Sequence, residues 1–85
     1  MRIVDVRKAF AEKKFRYTKH GAEQRINRQI KGEEIEHAIQ NGEIIEEYPS
    51  DKYGPSCLVY GETKLGRPIH IQIALLPIIS ICNCI

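Results

Sequence analysis

With 85 residues, 42% of them hydrophobic and 28% charged, the chain has the make-up of one small globular domain and excludes a disordered polypeptide. A core of that size buries only about 60% of the unfolded surface and leaves room for little more than one site. The net charge of +2 hides a split, ten Lys and Arg against three acids up to Lys31 (net +7), then three against eight (net −5). Such asymmetry predicts either a basic face that follows phosphates or a solvated helix surface facing its own acidic half. From Val4 to Lys14 the apolar positions Val6, Ala9 and Phe10 recur at helical spacing, with Asp5 as cap or first-turn acid. The stretch "KFRY" reads as a short strand or an extended link. Thr18 is the expected N-cap of a second helix over about 19–29, with Ala22, Ile26 and Ile30 on one stripe. Gly32-Glu33-Glu34 opens a third helix whose Ile35, Ala38 and Ile39 face inward, and Asn41-Gly42 stops it by offering a left-handed position.

After Gly42 the period changes from helical to strand-like. "EIIEEYP" ends at Pro49 and "SDKYGP" is a loop. "SCLVYGETK" and "RPIHIQIALL" flank Leu65-Gly66 as a hairpin, and "IISICNCI" makes a final strand. The order predicts a single α+β domain, helical over about 1–42 and sheet over about 43–85. Two or three helices should pack on one face of a three- to four-stranded antiparallel sheet. In "RPIHIQIA" alternation assigns Ile69, Ile71 and Ile73 to the helices and His70 and Gln72 to the open face. A two-residue hairpin loop would set Gly61 opposite His70, and a three-residue loop Tyr60.

Other features narrow the chemistry. "MRIVDVRKAF" lacks the apolar core of a signal peptide, and "IQIALLPIISICNCI" is broken by Pro77 and Asn83 and too short to span a bilayer. A cytoplasmic protein off the membrane is expected. Cys57, Cys82 and Cys84 offer neither a disulfide framework nor a zinc set, and read as small buried hydrophobes. No Gly-rich phosphate loop, H-E-x-x-H or G-x-S-x-G occurs, so no cofactor or metal is expected. The apolar end "IISICNCI", read as a sheet edge, suits pairing with a partner chain, including a second copy in a homodimer.

The ordered set Tyr17-Thr18-Lys19-His20, Arg28, Glu33-Glu34-Ile35, Asn41-Gly42-Glu43-Ile44-Ile45, Tyr48-Pro49, Pro55-Ser56, Leu58 and Gly66-Arg67-Pro68-Ile69-His70 resembles a small bacterial and archaeal family of the domain-of-unknown-function kind. The likeness runs from Tyr17 to Ala74. It implies a RelE-like domain, similar to RelE-type and MqsR-type toxins. Such toxins stand beside a zinc-finger or helix-turn-helix antitoxin and are suspected of cutting RNA without metal. Carried onto this chain, the matching positions are His20, Arg28, Tyr48, Gly66, Arg67 and His70, with Arg25 one position from an arginine of the relatives.

RNA brings its own nucleophile, the 2′-OH, so cleavage needs a base, an acid for the leaving 5′-oxygen and cations for the phosphate oxygens. Histidine serves as either acid or base, and the arginine fork matches phosphate bidentately. The candidate catalytic set is therefore His20, Arg28, Arg67 and His70. Arg25, Tyr48, Tyr60, Lys64 and Gln72 are candidate substrate contacts, the tyrosines by stacking bases. Plainer readings stand beside these: a solvent-facing His70, an Arg28 paired with Glu23, Glu33 or Glu34, an exposed turn residue at Arg67. The competing function is a non-enzymatic module that binds RNA or a protein.

Overall fold

The computed structural model describes residues 2–51 and 54–85. Its elements are α1 (Ile3–Ala11), β1 (Arg16–Tyr17), α2 (Lys19–Asn27), α3 (Gly32–Asn41), β2 (Glu43–Tyr48), β3 (Ser56–Glu62), β4 (Pro68–Ala74) and β5 (Ser80–Cys84). The strands form one sheet in the order β1-β5-β4-β3-β2, antiparallel throughout except for the parallel β1–β5 pair. The α+β class is as expected, with five strands instead of three or four. The extra one is "KFRY", whose Arg16 and Tyr17 pair with Ser80 and Ile81 at the far end of the chain.

Helix α3 lies on β3, α1 on α3, and α2 on β5, all on one face. Val6 and Phe10 of α1, Ile35, Ala38 and Ile39 of α3, and Ile69, Ile71, Ile73 and Ile81 of the sheet form a single buried core. The alternation of β4 holds in full, its isoleucines buried and His70 exposed.

Three local expectations change and one that the sequence left open is decided. The apolar stripe of α2 does not form: Ile26 is 69% exposed, and the helix meets β5 through the buried Gly21. Only a residue without Cβ permits that approach, because a Cβ there would lie 2.1 Å from the carbonyl oxygen of Ile81. Gly42 ends α3 in an extended conformation (φ −89°, ψ −179°), not a left-handed one. A Cβ at Gly42 would stand 2.5 Å from the carbonyls of Ala38 and Tyr60, so close packing explains that glycine. The terminal strand is not an edge, since β5 runs between β1 and β4. Lastly, the hairpin loop has three residues, Lys64 to Gly66, closed by Thr63 and Arg67, with Gly66 at φ +83°. That register places Tyr60 opposite His70.

Thr18 caps α2 as expected, its hydroxyl accepting from the Gly21 amide at 3.0 Å and donating to the Ile81 carbonyl at 3.2 Å. The cap therefore ties the helix to the strand it covers. Among the described residues no helix is long and apolar enough to cross a membrane.

Candidate nucleic-acid interface

The sheet face turned away from the helices carries its side chains in three rows. One row runs Glu43, Tyr60, His70, Ile85, the last joined to His70 by a pair of backbone hydrogen bonds at 2.9 Å. The next runs Glu46, Leu58, Gln72, Asn83. The third runs Tyr48, Ser56, Ala74, Ser80, Arg16. A bulge in β2 between Ile44 and Glu46 brings Glu43, Glu46 and Tyr48 onto this face together. Ser56 and Ser80 are buried here, donating to Asp51 Oδ2 at 3.0 Å and to the Ile78 carbonyl at 2.9 Å, so the connections fold over the third row. The other two rows stay open.

In the first row the Tyr60 and His70 rings stand 5.1 Å apart at 59°. A phenol and an imidazole thus share one exposed spot. In the third row the Tyr48 hydroxyl donates to Glu46, and this bond raises the phenol above its ordinary value and keeps it a donor. The Asn83 amide oxygen is enclosed and accepts no hydrogen bond among the described residues. Electrostatically these rows are acidic on the β2 side, through Glu43 and Glu46, and basic at the opposite edge through Arg16.

The arginines gather elsewhere. Arg67 shares the parity of Ile69, so it turns toward the helices, and its Nη2 donates to the Arg28 carbonyl at 3.0 Å. That bond satisfies a carbonyl at the C-terminus of α2, where a cation also suits the helix dipole. Arg28 Nε reaches Gln24 Oε1 at 3.3 Å. Arg25 lies over the Tyr17 ring, 5.1 Å from its centre, with its Nε enclosed and unpartnered. Burial pushes the Tyr17 phenol up and the Arg25 charge opposes it. Burial likewise raises the thiol of Cys84, against the pull of Arg25 and Arg28, and it stays a neutral packing group as expected. None of these three arginines makes an ion pair among the described residues, where Lys13 pairs with Glu36 and Lys14 with Glu12.

The candidate residues thus fall into two groups. Arg25, Arg28 and Arg67 meet on the helix side at one end of the sheet. Tyr60, His70, Gln72 and Tyr48 share the open face. At about 3.3 Å per residue the Arg67 backbone is some 10 Å from that of His70, with the side chains on opposite faces. Arg67 and His70, two of the four proposed catalytic residues, therefore do not face a common phosphate. His20 stands exposed in the first turn of α2, next to the sheet-facing Gly21. Lys64 at the hairpin tip lines a cleft of about 440 Å³ with Lys31 and the acidic first turn of α3. The sequence reading missed Tyr17 as the platform under Arg25, a contact across the junction of β1 and α2 that no single period reveals. It also missed Glu43 and Glu46 as face residues, because a bulge leaves no mark in the alternation.

The model of the family described as "Domain of unknown function (DUF4258)" matches residues 17–77. The chain belongs to that family. The match takes in the Tyr17–Arg25 stack, both Arg28 and Arg67, and the Tyr60–His70 pair, leaving out α1 and β5. No curated protein and no solved structure matches the DUF4258 chain. The likeness to RelE- and MqsR-type toxins therefore rests on the sequence pattern alone.

Proposed function

We propose that this DUF4258 protein binds single-stranded RNA. The phosphates meet the Arg25–Arg28–Arg67 corner and the bases lie on the open sheet face beside Tyr60 and His70. The observation that carries this reading is the set of arginines at this end of the sheet: Arg25 over the Tyr17 ring, Arg28 bonded to Gln24 and Arg67 bonded to the Arg28 carbonyl, none with a carboxylate partner among the described residues. Like charges left unpaired in this way suit an anion, and arginine suits phosphate. The aromatic pair at the same end of the sheet suits stacking of unpaired bases.

The test is a salt series with a labelled single-stranded RNA, followed by fluorescence anisotropy. Each phosphate contact contributes about 0.7 to the slope of log affinity against log salt. Arg28→Gln and Arg67→Gln should each weaken binding and lower the slope by about that amount. Unchanged slopes in both variants would overturn the reading.

Toxin-type ribonuclease activity is the second reading, favoured by the exposed His70 facing Tyr60. In it the 2′-oxygen attacks phosphorus, the bond to the 5′-oxygen breaks, and a 2′,3′-cyclic phosphate and a 5′-hydroxyl result. His70 takes or returns the proton. An antitoxin would then be the protein partner. Expression in bacteria with and without the neighbouring gene tests it: growth arrest that vanishes in His70→Ala supports cleavage, and arrest that persists sinks the histidine mechanism.

A further inference from the structure

Three aromatic rings lead from the core to Arg25. Phe10 of α1 stacks on Phe15 with ring centres 4.2 Å apart, Phe15 meets Tyr17 edge-to-face at 6.1 Å, and the Arg25 guanidinium lies over the Tyr17 ring. Phe10 is buried and Tyr17 half-buried, so the column has a fixed inner end and an open outer one. Arg25 Nε is enclosed, which leaves the two Nη groups to meet anything from outside. At the outer end stands Gly32, the first residue of α3. It has no Cβ, and the point where one would stand lies 3.6 Å from the Tyr17 hydroxyl and 3.7 Å from Arg25 Nη1. A phenol and a guanidinium thus converge on one spot that carries no side chain.

Both groups are donors there. Burial raises the Tyr17 phenol above its ordinary value, against the pull of Arg25, so the hydroxyl keeps its proton at neutral pH, and a guanidinium has no acceptor at all. Neither makes a hydrogen bond among the described residues. The acids nearby are turned elsewhere: Glu36, whose charge reaches the phenol, pairs with Lys13, Glu34 accepts from the Lys31 amide at 2.9 Å, and Glu33 lines the cleft beside Lys31 and Lys64. Two donors with no acceptor between them, one of them always charged, suit an anionic oxygen, and the arginine fork suits phosphate above other anions. We infer that Tyr17, Arg25 and Gly32 form a phosphate site in which the Tyr17 ring orients the guanidinium, its hydroxyl donates to a phosphate oxygen, and the missing side chain of Gly32 leaves room for that oxygen. The inference rests on the RNA-binding reading and adds to its arginines a neutral donor and a glycine that admits the ligand. Arg67, fixed on the Arg28 carbonyl, is left for another phosphate of the strand.

The experiment follows a labelled single-stranded RNA over a salt series with the wild type and single variants. Arg25→Gln removes a charge and should lower the slope of log affinity against log salt by about 0.7. Tyr17→Phe keeps the ring and the charge above it, so its slope should match the wild type while its affinity falls roughly two- to tenfold at every salt, the range of one hydrogen bond. Gly32→Ala sets a methyl group on the spot itself. Its new contacts of 3.6 and 3.7 Å are ordinary ones and alanine suits a helix better than glycine, so it should unfold in no less urea than the wild type while binding RNA more weakly. A variant that is at least as stable and binds worse separates ligand contact from misfolding. Wild-type affinity in Tyr17→Phe or in Gly32→Ala overturns the site and leaves RNA binding standing. Absence of binding by the wild type overturns both.

Discussion

Gly21→Ala tests whether α2 sits where the arginine corner requires. In an exposed helix interior the exchange of glycine for alanine stabilises by about 0.5–1 kcal/mol. Here the new Cβ would lie 2.1 Å from the Ile81 carbonyl oxygen and 3.0 Å from its carbon, both backbone atoms of the strand beneath. Side-chain carbons essentially never come within 3.0 Å of such atoms, so helix and strand must part by about 0.9 Å. That shift loosens the Thr18 hydroxyl from Ile81 and the Cys84 thiol from the Gly21 carbonyl, now at 3.2 and 3.9 Å. Overpacking of this kind costs about 1–3 kcal/mol, which outweighs the gain in helix propensity. The net expectation is a loss of about 1–2 kcal/mol, or a fall of roughly 5–15 °C in Tm for a domain of this size. Urea and thermal unfolding followed by circular dichroism measure it. A variant as stable as the wild type, or more so, would refute the close approach of α2 to β5 and with it the placement of Arg25 and Arg28.

Thr18→Ala removes both the cap of α2 and its link to β5, and should cost about 1–2 kcal/mol in urea unfolding, the upper part of the range for N-cap losses. An unchanged midpoint would deny the cap. Burial raises the thiol of Cys57 from 9.0 to about 11 and pushes Cys82, Cys84 and Tyr17 upward as well. Their folded values lie above the unfolded ones, so stability is undiminished below about pH 9 and falls as the unfolded chain loses protons first. Between pH 9 and 11 Cys57 alone accounts for at most about 2–3 kcal/mol. Urea midpoints at pH 8 and 10.5 check this, and a Cys57→Ala variant should show the shallower decline. Gly61→Ala should destabilise more than Gly21→Ala does, since its Cβ would meet three backbone atoms of Ala38 at 2.1 to 3.0 Å in the middle of the core. Equal stability of Gly61→Ala and the wild type would contradict the packing of α3 on β3.

The features legible in the sequence are those set by local periodicity. Ile69, Ile71 and Ile73 reveal their face through alternation, and Thr18 announces a helix because its hydroxyl suits the cap. Gly42 stops α3 for a reason that only the fold supplies, the crowding of Ala38 and Tyr60, so its conformation was misread while its position was right. β1 was half legible: two residues cannot show a period, and their partners Ser80 and Ile81 lie more than sixty positions away. The same distance in sequence hid the site. Arg28 and Arg67 meet through one backbone carbonyl across 39 positions. Their side of the sheet depends on the parity of Arg67, which alternation does give once the strand is extended backward from Ile69.

The charge split along the chain is sorted by the fold into two surfaces with different tasks. The basic first half supplies Arg25 and Arg28, and Arg67, one of only three bases after Lys31, is brought to the same corner. Without carboxylate partners among the described residues, these guanidinium groups keep their charge for the phosphates of the proposed complex. Of the acids of the second half, Glu43 and Glu46 go to β2, while Glu33 and Glu34 belong to the first turn of α3, whose Gly32 stands beside Arg25. Had Glu43 and Glu46 stood beside Arg67 instead, they would have neutralised it and left no reason for an anion to bind. Their place on the open face, on the other side of the sheet from Arg67, leaves the arginines unneutralised by them, which is what the proposed RNA binding requires.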